Sequence, residues 1–184
     1  SDIFIICVPT PSEEGEIDMS FVKNACLEVG RYLKNGSIVI LESTYYIGGT
    51  KNFCVPLLEE SGLIYNKDFF VAFSPERVNP GDKKNCFENM TKVVGCENLC
   101  VAQKIDKIYS KIFKNCYVVN SFEVAEATKL LENLQRDVNI GLINEYSLLL
   151  NILNVNIYDV LNAASTKWNF QYYTPGLVGG HCIG

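Results

Sequence analysis

Histidine and tryptophan each occur once in this 184-residue chain, and methionine twice. None of its eight cysteines forms a Cys-x-x-Cys pair; the nearest two are Cys96 and Cys100. Structural zinc sites need closely spaced Cys and His ligands, so this is a poor basis for one. Lysine and arginine nowhere gather into a run, and the net charge is −5. That argues against nucleic acid or an anionic membrane as the main partner. No apolar stretch reaches membrane-spanning length, and the first residues lack a basic n-region and a cleavage site. A cytoplasmic protein is expected. A GxGxxG turn between a strand and a helix is missing too, and the nearest glycines, Gly176 to Gly180, follow no predicted strand. The first strand therefore reads as a later strand of a sheet whose N-terminal half lies outside this chain.

The remaining composition, 48% hydrophobic and 20% charged, is that of an ordinary globular protein. Ile3 to Val8 is a continuous apolar run closed by Pro9-Thr10-Pro11. Such a run suits a strand buried on both faces of a parallel sheet. Asp18 can cap a helix reaching about Leu33. Ser37 to Leu41 is a second strand, followed by Glu42-Ser43-Thr44, and a helix follows from Thr50 to about Glu60. Phe69 to Phe73 is a third strand, followed by Ser74-Pro75-Glu76-Arg77. Val93 to Gly95 gives a short fourth, then come a helix from about Leu99 to Phe113 and a last strand at Tyr117 to Val119. This alternation predicts the C-terminal part of a doubly wound, Rossmann-like parallel sheet over residues 1–120. The ends VPTP, EST and SPER would converge on one edge, where ligands of open α/β sheets collect. Cys7, Cys26, Cys54 and Cys116 sit within apolar patterns and read as reduced core thiols.

From Ser121 the pattern changes. Apolar residues from Val124 to Leu153 recur at spacings of three and four, which predicts one helix of about thirty residues, roughly 45 Å long. This helix opens an α-helical domain over 121–184. Glu126, Lys129, Asn133 and Arg136 form a second stripe along it, which describes a solvated face as readily as a functional one. A shorter helix, about Ile157 to Ala163, is capped by Asn156. An aromatic segment, Lys167 to Tyr173, then leads into Pro175-Gly-Leu-Val-Gly-Gly-His-Cys182. A cysteine among glycines can be reached by a substrate, although a turn holding one small apolar residue has the same appearance.

Four segments carry a resemblance: the Cys182 loop, Ala125-Glu-Ala-Thr-Lys129-Leu-Leu-Glu-Asn133, Glu42-Ser-Thr44 and Ser74-Pro-Glu-Arg77. In order and spacing the chain resembles the UDP-glucose/GDP-mannose dehydrogenase family, most of all its branch that oxidises UDP-N-acetylhexosamines. The resemblance implies a three-part protein of which this chain covers two portions. These are the second half of an NAD-binding domain and most of a central domain with a dimer-forming helix. It further implies a four-electron oxidation of a sugar C6 alcohol to a carboxylate with NAD, giving precursors of surface polysaccharides.

In the implied roles Cys182 is the nucleophile, forming a thiohemiacetal and then a thioester. Lys129 and Asn133 stabilise the oxyanion. Glu76 works with a water held by Thr44. Val8, Pro9, Thr10, Pro11, Ser43 and Thr44 meet the cofactor. Glu76, Arg77, Lys129, Asn133, Arg136, Tyr172, Gly179 and His181 meet the UDP-sugar. The aspartate that the family places four residues after its cysteine falls beyond Gly184, so the chain alone is expected to be inactive. Two other readings stand beside this one: a non-catalytic dimerisation module built on the long helix, and a cysteine hydrolase using Cys182 and His181.

Overall fold

Alternating side chains along two central strands account for a three-layered α/β unit. The structure, a computed structural model, describes residues 2–78 and 87–177. In chain order the elements are β1 (Ile3–Ile6), β2 (Ser12–Glu13), β3 (Glu16–Ile17), α1 (Ser20–Gly30) and β4 (Ser37–Leu41). A π-helical turn (Thr50–Cys54) runs into α2 (Val55–Glu59). Then come β5 (Phe69–Phe73), β6 (Thr91–Gly95), α3 (Leu99–Tyr109), β7 (Asn115–Val119), α4 (Phe122–Ile152) and α5 (Ile157–Ala164). Val39, Leu41, Val71 and Phe73 enter one buried cluster with Val22 and Cys26 of α1 and Leu58 of α2. Their neighbours Ile38, Ile40 and Ala72 enter another with Val101, Ala102 and Ile105 of α3. Successive strand residues point to opposite faces, so a fully apolar strand needs helices on both.

The main sheet has the order β1-β4-β5-β6-β7. β1, β4 and β5 are parallel, as the alternation predicts. β6 runs antiparallel to β5, meeting it at Phe73↔Gly95, and β7 is parallel to β6. The sequence reading contains no such reversal. Between β5 and β6 the described residues hold only a three-residue 3-10 turn, Phe87–Asn89, and no α-helix of the kind that makes a parallel crossover. β1 also departs from expectation. It has one strand neighbour in the described structure, Ile5 is 50% exposed, and Cys7 is exposed rather than buried. A short hairpin, β2–β3, turns through Glu14 and Gly15, both with positive φ.

The chain divides into two compact units, Ser1–Lys129 and Leu130–Gly184, with the boundary inside α4. In the first unit, α4 begins with Phe122 and Ala125 buried in the sheet's core. Gly95 lets it approach: a Cβ there would lie 2.6 Å from the Ser121 carbonyl oxygen and 2.8 Å from the Ala125 Cβ. Glu126, one residue on, is 1% exposed. Its Oε2 accepts from Gly48 N at 2.6 Å and its Oε1 from Thr50 N at 2.9 Å. It is therefore no part of a solvated face. Gly48 has φ +87°, a region that favours glycine, and the turn it makes presents both N–H groups to the carboxylate.

In the second unit Leu150, Ile157 and Leu161 form a small core with Ile143, Val160 and Phe170 packed on it. Asn156 caps α5, its side chain accepting from Tyr158 N at 2.9 Å. Among the described residues no helix is long and apolar enough to cross a membrane.

Two stability outcomes follow from the start of α4. Gly95→Ala forces backbone apart at the β6–α4 contact and lowers unfolding free energy by about 2 kcal/mol, read from urea midpoints. Glu126→Ala strands two buried N–H groups and costs about 3 kcal/mol by the same measurement. An unchanged midpoint in either variant would contradict the packing described.

Candidate functional site

Three strand ends meet at the C-terminal edge of β1, β4 and β5, because parallel strands share a direction. Short hydrogen bonds tie the first two together. Ser43 Oγ donates to the Val8 carbonyl at 2.7 Å, and Thr10 Oγ1 donates to the Thr44 carbonyl at 2.6 Å. Pro9 and Pro11 are exposed, while Val8, Thr10 and Thr44 are partly buried and Ser43 is buried. Tyr45, next in sequence, is buried, and its hydroxyl pairs with Thr50 Oγ1 at 2.9 Å. The EST loop is thus anchored to β1's exit on one side and, through Thr50 and Glu126, to α4 on the other.

The third end carries the charges. Ser74 to Val78 continues alongside β6: Ser74 Oγ donates to the Val93 carbonyl at 2.7 Å, and Arg77 Nη1 to the Thr91 carbonyl at 2.8 Å. Glu76 Oε1 accepts from the backbone N–H groups of Arg77 and Val78, both at 2.6 Å. Lys129 reaches this corner from α4, its Nζ donating to the Glu76 carbonyl oxygen at 2.6 Å. The structure therefore brings together Glu76, Arg77 and Lys129, and separately Val8, Thr10, Ser43 and Thr44.

Beneath the corner lies a group that sequence reasoning did not single out. Lys92, on β6, is 1% exposed. Its Nζ is 3.1 Å from Glu42 Oε1 and 3.8 Å from Glu76 Oε2, and donates to the Pro75 carbonyl at 3.4 Å. The Tyr109 hydroxyl donates to the same Glu42 oxygen at 2.5 Å. Burial first, and then that hydrogen bond, push the Tyr109 hydroxyl well above its ordinary range, so it stays a donor. The available signal was a lysine inside an apolar strand and a glutamate ending another, since a buried charge requires a partner.

In the second unit α4 continues unbroken, and Asn133 Oδ1 accepts from Arg136 Nη2 at 3.1 Å. The aromatic segment is fastened along this helix. Gln135 Nε2 donates to Gln171 Oε1 at 3.1 Å, and Asn144 makes two hydrogen bonds with the backbone of Gly176, at 2.8 and 2.9 Å. Tyr172, between these ties, is exposed. Gly179, His181 and Cys182 lie outside the described residues.

The other thiols have unpromising surroundings for a nucleophile. Cys26 and Cys54 are both buried away from the surface; the hydrogen bond between them, the first cause in each, pushes the Cys26 thiol up and the Cys54 thiol down. Burial pushes Cys96 up and brings Cys116 to about 11.

Comparison with known proteins matches residues 1–113 to the UDP-glucose/GDP-mannose dehydrogenase family, NAD binding domain, and residues 123–184 to its central domain. A UDP-N-acetyl-D-glucosamine 6-dehydrogenase of Pseudomonas aeruginosa is 46% identical over 186 residues, covering all of this chain and 44% of the relative. A UDP-N-acetyl-D-mannosamine dehydrogenase of Pyrococcus horikoshii is 36% identical over 184 residues, with the same coverage. The solved structure of a UDP-D-ManNAc dehydrogenase from Pyrococcus horikoshii superimposes with a TM-score of 0.92 at 38% identity, over 99% of this chain and 44% of that one. The chain spans under half the length of these relatives. It belongs to the UDP-glucose/GDP-mannose dehydrogenase family, whose NAD binding and central domains it carries in part.

Proposed function

We propose that the full-length protein oxidises the C6 alcohol of a UDP-N-acetylhexosamine to the uronic acid, with residues 1–120 as the C-terminal half of its NAD-binding domain. The observation carrying this reading is the meeting of Glu76 and Lys129 at the edge where the VPTP and EST loops also end. The loops at Val8–Pro11 and Ser43–Thr44 carry no charged side chain and are held rigid by their mutual hydrogen bonds. Hydroxyl and backbone groups of this kind suit the ribose and phosphates of a dinucleotide, with Thr44 nearest the nicotinamide. NAD, when bound, supplies the acceptor for the hydrides that leave C6.

The chain's own residues supply the remaining steps. The Cys182 thiolate adds to the aldehyde carbon, and the carbonyl π electrons move onto oxygen. Lys129 and Asn133, one turn apart on α4, stabilise that oxyanion. After the second oxidation the carbon is a thioester. Water attacks it, Glu76 takes the water's proton, and the Cys182 thiolate departs. Thr44 holds the water, while Arg77, Arg136, Tyr172, Gly179 and His181 seat the sugar nucleotide. Thiols buried without disulfides, such as Cys26 and Cys54, support a reducing cytoplasmic setting.

The protein also acts as a homodimer in this reading. Leu131, Leu134, Val138, Leu142, Tyr146 and Leu149 are all exposed at spacings of three and four along α4. A stripe of this length is matched by the same stripe of a second copy, as a two-fold interface requires.

NADH formation with UDP-N-acetylglucosamine or UDP-N-acetylmannosamine tests the activity. Lys129→Ala lowers kcat about 10²-fold, and Cys182→Ser forms no uronic acid. Uronic acid formation at the wild-type rate by Cys182→Ser would remove the covalent mechanism. Leu134→Glu with Leu142→Glu converts the dimer to a monomer in light scattering; a wild-type mass would place the interface elsewhere.

A further inference from the structure

We propose that Lys92 is a positioning residue for the reaction: it fixes the Pro75–Glu76 corner, and with it the Glu76 carboxylate, from inside the sheet. The inference rests on the acid/base reading of Glu76. It begins from an energetic imbalance. An ammonium group taken out of water is costly, and a neutral side chain of similar shape commonly packs at least as well. Lys92 is 1% exposed and its stem lies in the core, with Nζ 5.5 Å from the Tyr109 ring centre and 5.3 Å from that of Phe113. Packing alone therefore does not call for a charge there.

The contacts of the ammonium group point toward the edge. Glu42 Oε1, 3.1 Å away, balances it within the sheet, and the Tyr109 hydroxyl completes that oxygen's coordination. The other contacts are the Pro75 carbonyl and Glu76 Oε2, which belong to the corner itself. The Glu76 side chain is 46% exposed, and a carboxylate that reaches solvent loses conformational freedom when it is fixed. Its Oε1 is committed to the backbone of Arg77 and Val78, and its Oε2 faces Lys92. Lys129 grips the Glu76 carbonyl from α4, and Arg77 grips Thr91, the residue before Lys92. The corner is thus clamped between an interior lysine on β6 and a lysine on α4. Because β6 runs antiparallel, its first residues lie beside the chain leaving β5, which is where Lys92 must be to do this.

Four forms of the full-length protein test the inference: wild type, Glu76→Gln, Lys92→Met, and Lys92→Met combined with Glu42→Gln. The double variant leaves no unpaired interior charge. Turnover, KM for NAD and thermal unfolding are measured on each. The expected result is a folded double variant with kcat lowered about 10²-fold, the scale of an ångström's misplacement of a reacting group, and KM for NAD unchanged. Wild-type turnover in the double variant, with Glu76→Gln impaired, would overturn the role of Lys92 alone. Failure of the double variant to fold would also overturn it, because the charge would then serve the fold. Full turnover in Glu76→Gln would remove the reading of Glu76 and this inference with it.

Discussion

Two backbone N–H groups in the turn after the EST loop have their partner 76 and 78 residues further along the chain, in the carboxylate of Glu126. Much of the site depends on that bond pair. Gly48 and Thr50 open the π-helical turn that leads into α2, and the first N–H groups of a helix have no partner within it. A buried carboxylate at that end satisfies them and lies in the favourable direction of the helix dipole. The same contact draws the first turns of α4 onto the sheet, with Gly95 removing the side chain that would hold them off. Lys129 is one turn beyond Glu126. Its reach to the Glu76 carbonyl follows from where Glu126 is fastened.

The edge so assembled has two characters. At the end of β1 and at Ser43–Thr44 after β4 the side chains are neutral and joined by hydroxyl-to-carbonyl bonds, while Glu42, which opens the second loop, pairs with Lys92. At the end of β5 the backbone is held by ammonium and guanidinium donors, and charge is shared between Glu42 in the interior and Glu76 near the surface. Charge-assisted hydrogen bonds are shorter and stronger than neutral ones.

Much of this fold was legible in the residues because apolar runs, proline exits and a helix of sustained period announce themselves locally. Ser37–Leu41, Phe69–Phe73 and the 31-residue α4 are such elements. The reversal of β6 was not, because pairing direction depends on the connection rather than on the five residues of the strand. Glu126 and Lys92 were misjudged or passed over for a related reason. Each is interpretable only beside its partners, and those stand at least 16 residues away in sequence for Lys92 and at least 76 for Glu126. Cys7 shows the opposite error: an apolar run promised burial, yet its strand has a single neighbour in the described structure.

Thiol chemistry gives the nucleophile its context. A thiolate is the reactive form, and a low-dielectric setting without a cation disfavours it. The thiols of Cys96 and Cys116 are both shifted upward with burial as the first cause, at Cys116 despite the charge of Lys92 nearby. Cys26 and Cys54 are buried, and the hydrogen bond between them pushes the Cys26 thiol up and the Cys54 thiol down; Cys54 also donates to the Tyr45 hydroxyl. Cys7 and Cys100 are exposed, but nothing in their sequence surroundings matches the glycine-rich approach that precedes Cys182. The segment leading to that approach is the one Gln135 and Asn144 fasten along α4. Asn133, Gln135 and Asn144 lie on this same helix.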